Sequence, residues 1–211
     1  MDLFVIIPIL FFSIVLHEFA HGYVAYRLGD DTAYVLGRLT LNPLKHIDLI
    51  GTFLVPALCI ISGLPVFGWA KPVPVNARRL ASPFKDMGKV ALAGPTANLL
   101  LAIICAFLIK LIIVSGIFSA DTAERSVQCL IYGIQINVLL AVFNLMPIPP
   151  LDGGHIVAAL LPLKAAIKYT MFFGRFGMWL VIGLIVTGVF KYILYPPMYA
   201  VMSVISKFLA L

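Results

Sequence analysis

The stretch SIVLHEFAHGYVAYRLGD, residues 13–30, places His17, Glu18 and His21 in the second half of an otherwise apolar run from Leu3 to Tyr26. Twenty-four residues make a helix of about 36 Å, long enough to cross a bilayer with some tilt. A carboxylate near the middle of such a helix costs on the order of 2.5–3.5 kcal/mol, so three polar side chains within five residues call for a specific role. Gly29, Asp30 and Asp31 end the run.

The rest of the chain supports a membrane setting. Of 211 residues, 62% are hydrophobic and only 11% charged, with a mean hydropathy of +1.07, which sets the chain apart from soluble domains. The first apolar run has full spanning length and no basic start or cleavage site, and reads as a retained span rather than a signal peptide. The net charge of +6 is spread over loops between apolar runs without interleaved aromatics, which excludes nucleic acid as a partner and assigns the charge to membrane topology. Cys59, Cys105 and Cys129 are odd in number and scattered through apolar sequence, and read as packing residues with no disulfide framework or CxxC pair.

Further spans are expected at Val90–Val114, Val127–Met146 and Phe176–Leu194, with residues 195–211 a partial span or an interfacial helix. Asp121–Arg125 reads as a short polar loop and Lys71–Lys89 as an exposed basic one. Residues 35–45 are β-branched and polar enough for a short strand or β-hairpin. Gly51, Pro56, Gly63, Pro65 and Gly68 interrupt the apolar segment 47–69, which suits a re-entrant or surface segment. The expected fold is therefore an all-α polytopic membrane protein with four to six transmembrane helices, one short β-hairpin and one re-entrant segment. It forms a single domain over 1–211, with a catalytic core at about 3–162 and C-terminal helices at about 176–211. No inverted repeat of the transporter kind is present.

His17-Glu18-Phe19-Ala20-His21 fits HExxH. Histidines at i and i+4 share one helical face and can bind one zinc ion, while the neighbouring glutamate can take a proton from a water held at the metal. Zinc accepts nitrogen and oxygen ligands and makes hydroxide accessible near neutral pH. The competing reading, two satisfied core histidines and a helix-surface glutamate matching the pattern by chance, would still place a costly carboxylate near mid-helix in lipid.

A catalytic zinc needs a third protein ligand. The extended HExxHxxGxxH pattern would put a histidine where Arg27 stands and is excluded. Glu124, the other glutamate, sits in a polar stretch beside Arg125 and reads as a solvated charge. Asp152 follows Pro147, Pro149 and Pro150, which break the helix near membrane depth, where irregular backbone must be buried or lined by water. Such a break suits a wet metal site, although Asp152 also fits a helix N-cap. His155 is an alternative ligand or a supporting residue.

HEFAH at 17–21, AGPTAN at 93–98 and NLMPIPPLDGGH at 144–155 together resemble the site-2 protease family of intramembrane zinc metalloproteases, in its compact prokaryotic-type form without inserted PDZ or CBS domains. The resemblance spans His17 to Leu160. It implies one zinc per chain held by His17, His21 and Asp152, Glu18 as general base, and Asn144 positioning or polarising the scissile peptide. Asn144 also suits a helix–helix hydrogen bond, and Asn98 and Asn137 read as structural glue of that kind. The implied partners are the lipid bilayer and a substrate protein with a transmembrane helix; separately, the strand-forming residues near 35–45 suggest an edge that holds the unwound substrate extended by strand addition. A prenyl-protein-type metalloprotease, with a glutamate as third ligand, and a metal carrier or transporter are the rival readings.

For HExxH and Asp152 to meet, they must lie at similar depth. If 47–69 crossed fully, three crossings would separate them and put them on opposite faces; if it does not, two crossings bring them together. The second arrangement also gathers Arg27, Arg38, Lys45, Lys71, Arg78, Arg79, Lys85, Lys89, Lys164, Lys168 and Arg175, which are 11 of 15 basic residues, on one face. By the positive-inside rule that face is cytoplasmic. A multi-pass protein of the cell membrane, with its site opening towards the cytoplasm, is expected.

Overall fold

A computed structural model of the chain describes residues 3–63 and 68–210. Residues 64–67, which include Pro65 of the interrupted segment, and residues 1, 2 and 211 at the limits of the domain assignments lie outside the described residues.

The described residues form helices α1 (Leu3–Arg27), α2 (Thr32–Val35), α3 (Val55–Ser62), α4 (Pro83–Ser115), α5 (Ala120–Asn144), α6 (Asp152–Leu160), α7 (Leu163–Val186) and α8 (Phe190–Ala210). Five of them, α1, α4, α5, α7 and α8, are long and apolar enough to cross a membrane. In lipid, helix association depends on close packing, and small residues permit it. Ala102, Cys105, Ala106 and Ile109 of α4 pack with Ile134, Val138 and Val142 of α5, and Phe190, Leu194 and Ile205 of α8 close this core. Cys59 and Cys105 are buried and Cys129 is exposed; all three are free thiols.

Paired residues fix the helix directions. Ser13 and His17 of α1 bond Asn98 of α4, and His21, one turn further along α1, bonds Val90, two turns earlier on α4. On the other side of α4, Asn98 bonds Asn137 while Gly133 lies against Cys105. Numbers rise along α1 and α5 as they fall along α4, so α4 runs antiparallel to both. The connection 28–82 therefore leaves and rejoins the helix layer at one end.

Within that connection no β-hairpin forms, and the expectation for 35–45 is corrected. Residues 32–35 make one helical turn, Gly37 (φ +62°) reverses the chain, and Pro43–His46 form a single 3-10 turn capped by Asn42, whose Oδ1 accepts from Leu44 N–H at 3.1 Å. Pro43 lacks the donor a ladder needs, and Asn42 prefers the cap. Among the described residues there is no strand.

Residues 49–62 form one helical stretch that opens with a wide π turn at Leu49–Leu54 and continues as α3. Fourteen residues reach about 21 Å, short of the ~20 residues a span requires. Asp48 caps it, accepting from Ile50 N–H at 3.0 Å and Gly51 N–H at 2.7 Å. The returning chain lies against its start: Trp69 N–H donates to Gly51 O, 3.1 Å, and the Trp69 ring occupies the space a Gly51 side chain would need.

Three expected boundaries also move. Asp121–Arg125 is the first turn of α5, which Ser119 caps through Thr122 N–H. α4 starts at Pro83, inside the expected loop. The span expected at Phe176–Leu194 is divided between α7 and α8 at Gly188 (φ +70°), because apolar sequence continues straight through the turn and hides it.

Candidate metal centre

The site is assembled where the C-terminal half of α1, the N-terminal half of α4 and the start of α6 converge. HExxH spacing puts both imidazoles on one face of α1, and their Nε2 atoms are 2.9 Å apart. Asp152 opens α6 and brings Oδ2 to 3.2 Å from His17 Nε2 and 3.4 Å from His21 Nε2. It can reach them because Gly153 lies hard against the Leu145 and Met146 carbonyls, and Gly154 against Pro149; a β-carbon at either would come within 2.5 Å. Gly94 plays the same part on α4. A β-carbon there would lie 2.5–2.6 Å from both histidine rings.

The protons in the cluster follow from its partners. His21 Nδ1 faces Val90 O at 2.7 Å, and a carbonyl only accepts, so Nδ1 carries the hydrogen. His17 Nδ1 faces Asn98 Oδ1 at 2.6 Å; Asn98 Nδ2 already donates to Ser13 O and Asn137 Oδ1, so here too the imidazole donates. Both rings therefore turn Nε2 towards the buried Asp152 Oδ2, which has no hydrogen-bond partner. Three potential ligand atoms converge within 3.4 Å of one another, and deprotonated they would repel. A cation relieves their repulsion, and ligand atoms ~2 Å from one zinc ion sit about as far apart as these do. Among the described residues this trio is the one group of three His, Cys, Asp or Glu able to hold a metal, and its two nitrogens and one oxygen suit zinc.

A cavity of about 270 Å³ opens beside the trio and is lined also by Glu18, Asn144, His155, Pro72, Val73 and Val75. Glu18 Oε2 accepts from Val73 N–H at 2.7 Å. Asn144 Nδ2 donates to Leu140 O of its own helix at 3.0 Å. His155 borders the cavity without joining the trio. Glu124 is exposed in the first turn of α5, twenty residues or about 30 Å from Asn144 at the other end. The fourth histidine, His46, is buried elsewhere and bonds Thr40 O.

Residues 68–76 form a strap along this cavity; within the expected exposed loop at 71–89 the basic side chains are exposed, while Val73 and Leu80 turn inwards and α4 begins at Pro83. Val73 is buried. Arg38 Nη2 donates to Lys71 O and Pro72 O at 3.0 and 3.2 Å. Lys71 N–H donates to His46 O, and Asn76 N–H donates to the buried Asp30 at 2.6 Å. No periodic pattern announces the strap, since Pro72 and Pro74 interrupt it. Asn98 was legible as a polar residue in a span, but not as a partner of His17.

A family model described as Peptidase family M50 matches residues 110–184. "Putative zinc metalloprotease YwhC" of Bacillus subtilis is 42% identical over 185 residues, 87% of this chain and 81% of that protein. "Putative zinc metalloprotease Rip2" of Mycolicibacterium smegmatis is 35% identical over 142 residues, 67% of this chain and 51% of that protein. "Zinc metalloprotease MJ0392" of Methanocaldococcus jannaschii is 27% identical over 161 residues, 76% of this chain and 35% of that protein. The chain thus spans most of the first relative and about half or less of the other two. No solved structure matches it.

Proposed function

The chain belongs to peptidase family M50, the site-2 protease family, and we propose that it hydrolyses peptide bonds in or near transmembrane segments of other membrane proteins. His17, His21 and Asp152 hold one zinc ion in this reading. The observation that carries it is the convergence of two imidazole nitrogens and one carboxylate oxygen, 2.9–3.4 Å apart, beside a cavity that also exposes a glutamate.

Zinc in this trio supplies a Lewis acid for the scissile carbonyl and lowers the pKa of the attacking water. Glu18 takes the proton from that water and afterwards delivers it to the leaving amine. Its carboxylate is steered by the strap through Val73 N–H. Asn144, already fixed by one amide hydrogen to Leu140 O, has its remaining amide groups for the backbone of the substrate. A substrate helix must unwind at the cut, because a helical peptide bond is shielded and hydrogen-bonded. The single domain has its catalytic core at about 3–162, with α7 and α8 completing the bundle.

Because α4 is antiparallel to α1, with 28–82 returning to its own side, the reading keeps 47–69 re-entrant or at the surface. The site then opens on the side that holds the basic residues of the 28–82 connection and of the first turns of α4 and α7, which the positive-inside rule makes cytoplasmic. A glutamate-ligated centre of the prenyl-protease type has no support, since Glu124 lies at the far end of α5.

The test is purified protein in lipid vesicles with a panel of single-span substrates, comparing wild type with Glu18→Gln. The reading expects cleavage by wild type, and a loss of about 10²–10⁴-fold in the variant with zinc content kept. Equal cleavage by both proteins would remove Glu18 as base, and no cleavage of any substrate by zinc-loaded wild type would count against the proteolytic reading.

A further inference from the structure

One polar chain buried between α1, α4 and α5 has no part in the mechanism above. Ser13, Asn98 and Asn137 are each fully buried, in the middle of helices that cross the membrane. Every hydrogen in this chain can be placed. Ser13 Oγ donates to Ile9 O at 2.8 Å, leaving its lone pairs for Asn137 Nδ2 at 2.9 Å. The second Asn137 amide hydrogen goes to Gly133 O at 2.8 Å. Asn137 must therefore present Oδ1 to its neighbour, and Asn98 Nδ2 donates to it at 2.8 Å. The second Asn98 hydrogen goes to Ser13 O at 3.2 Å. Only Oδ1 of Asn98 is left to face His17 Nδ1, 2.6 Å away.

Rotating either amide by half a turn would point carbonyl oxygen at carbonyl oxygen, at Gly133 or at Ser13, with no donor between them. In a medium without water such an arrangement costs several kcal/mol. The network therefore has one orientation, set from the Ser13 hydroxyl inwards.

Resting on the zinc reading, we infer that Asn98 is a positioning residue whose amide, held by Asn137 and Ser13, fixes the tautomer and ring plane of His17 so that its Nε2 lone pair is offered to the metal. His17 is the ligand that needs such help, because it lies deeper along α1 than His21, which uses the Val90 carbonyl instead. The helix–helix bonds of Asn98 and Asn137 and the metal site are then one construction. The same amide that ties α1 to α4 and α5 sets the imidazole.

Two substitutions of nearly equal size separate positioning from packing. Asn98→Asp keeps an acceptor opposite His17 Nδ1 but loses both donated bonds to Ser13 and Asn137. Asn98→Leu removes the acceptor and leaves no new charge in the helix interface. Zinc affinity of the full-length, detergent-solubilised protein is measured by competition with a chromogenic chelator, and thermal unfolding is measured on the same proteins after zinc is stripped. Loss of an outer-sphere partner to a ligating histidine typically costs 10–100-fold in affinity, and that loss is expected for Asn98→Leu. Asn98→Asp is expected to bind zinc at least as tightly as wild type although its zinc-free form melts lower than that of Asn98→Leu.

If zinc affinity instead follows the melting order, or Asn98→Leu binds zinc like wild type, Asn98 does not position the ligand. If Asn98→Leu does not accumulate as folded protein, Asn137→Leu carries the test: weaker zinc binding supports the relay and unchanged binding overturns it. Wild-type protein that takes up no zinc removes the metal reading itself, an outcome separate from any difference among the variants.

Discussion

The backbone N–H of Val73 donates to Glu18 Oε2 at 2.7 Å, joining the extended strap at 68–76 to the carboxylate beside the histidine pair. A glutamate in a lipid-embedded helix has few partners to choose from. The strap supplies one from backbone rather than from a side chain, so the bond survives substitutions at residue 73 other than proline.

Val73→Pro removes that donor between two existing prolines. A hydrogen bond to a charged group is worth about 1.5–3 kcal/mol, so kcat is expected to fall by roughly tenfold or more while zinc content stays at the wild-type level. Val73→Ala retains the N–H and should keep most of its activity. Steady-state cleavage of a single-span substrate, with metal analysis, checks both.

Gly94→Ala places a methyl group 2.5–2.6 Å from both histidine rings. The rings cannot withdraw without giving up Asn98 or Val90, and α4 cannot withdraw without opening its packing on α1. Overpacking of this kind costs about 1–3 kcal/mol, and here it falls on the ligand pair. Zinc affinity should drop by about tenfold or more. A chelator titration that gives the wild-type constant would show that α4 moves aside freely.

Asp30 is fully buried and accepts from Thr32 N–H, from the Thr32 hydroxyl and from Asn76 N–H. It ties the end of α1 to the far end of the strap. Asp30→Ala leaves two backbone N–H groups without their acceptor, a penalty of about 1–3 kcal/mol for each one that stays buried. Lower thermal stability and faster proteolysis within residues 68–79 are expected. Protection of that segment equal to wild type would mean the strap is held by Glu18, Arg38, His46 and Gly51 without Asp30.

The parts of this fold that were legible in the sequence are those where one residue type has few tolerable explanations. His17, Glu18 and His21 in an apolar run, and Asp152 behind three prolines, are costly in lipid unless they meet, and the structure brings His17, His21 and Asp152 within 3.4 Å. The division between α7 and α8 was not legible, because hydropathy does not change across Gly188. Residues 35–45 looked like a hairpin because β-branched composition says nothing about the capping side chain of Asn42 or the donor missing at Pro43. The strap was hidden for the opposite reason. Its order comes from distant acceptors, Asp30 and Glu18, and from the Arg38 guanidinium, none of which leaves a local pattern. Asn98 was visible as a polar residue in a span, but its bond to a residue 81 positions away belongs to the packing alone.

The account rests on one cation shared between the α1 histidines and the α6 aspartate, and zinc K-edge X-ray absorption of the purified full-length protein tests this most directly. One zinc per chain with two imidazole nitrogens, oxygen in the remaining positions and no sulfur is the expected spectrum, with zinc uptake lost or the oxygen shell changed in Asp152→Ala. A sulfur ligand, a single imidazole, or an Asp152→Ala spectrum identical to that of wild type at full occupancy would contradict it.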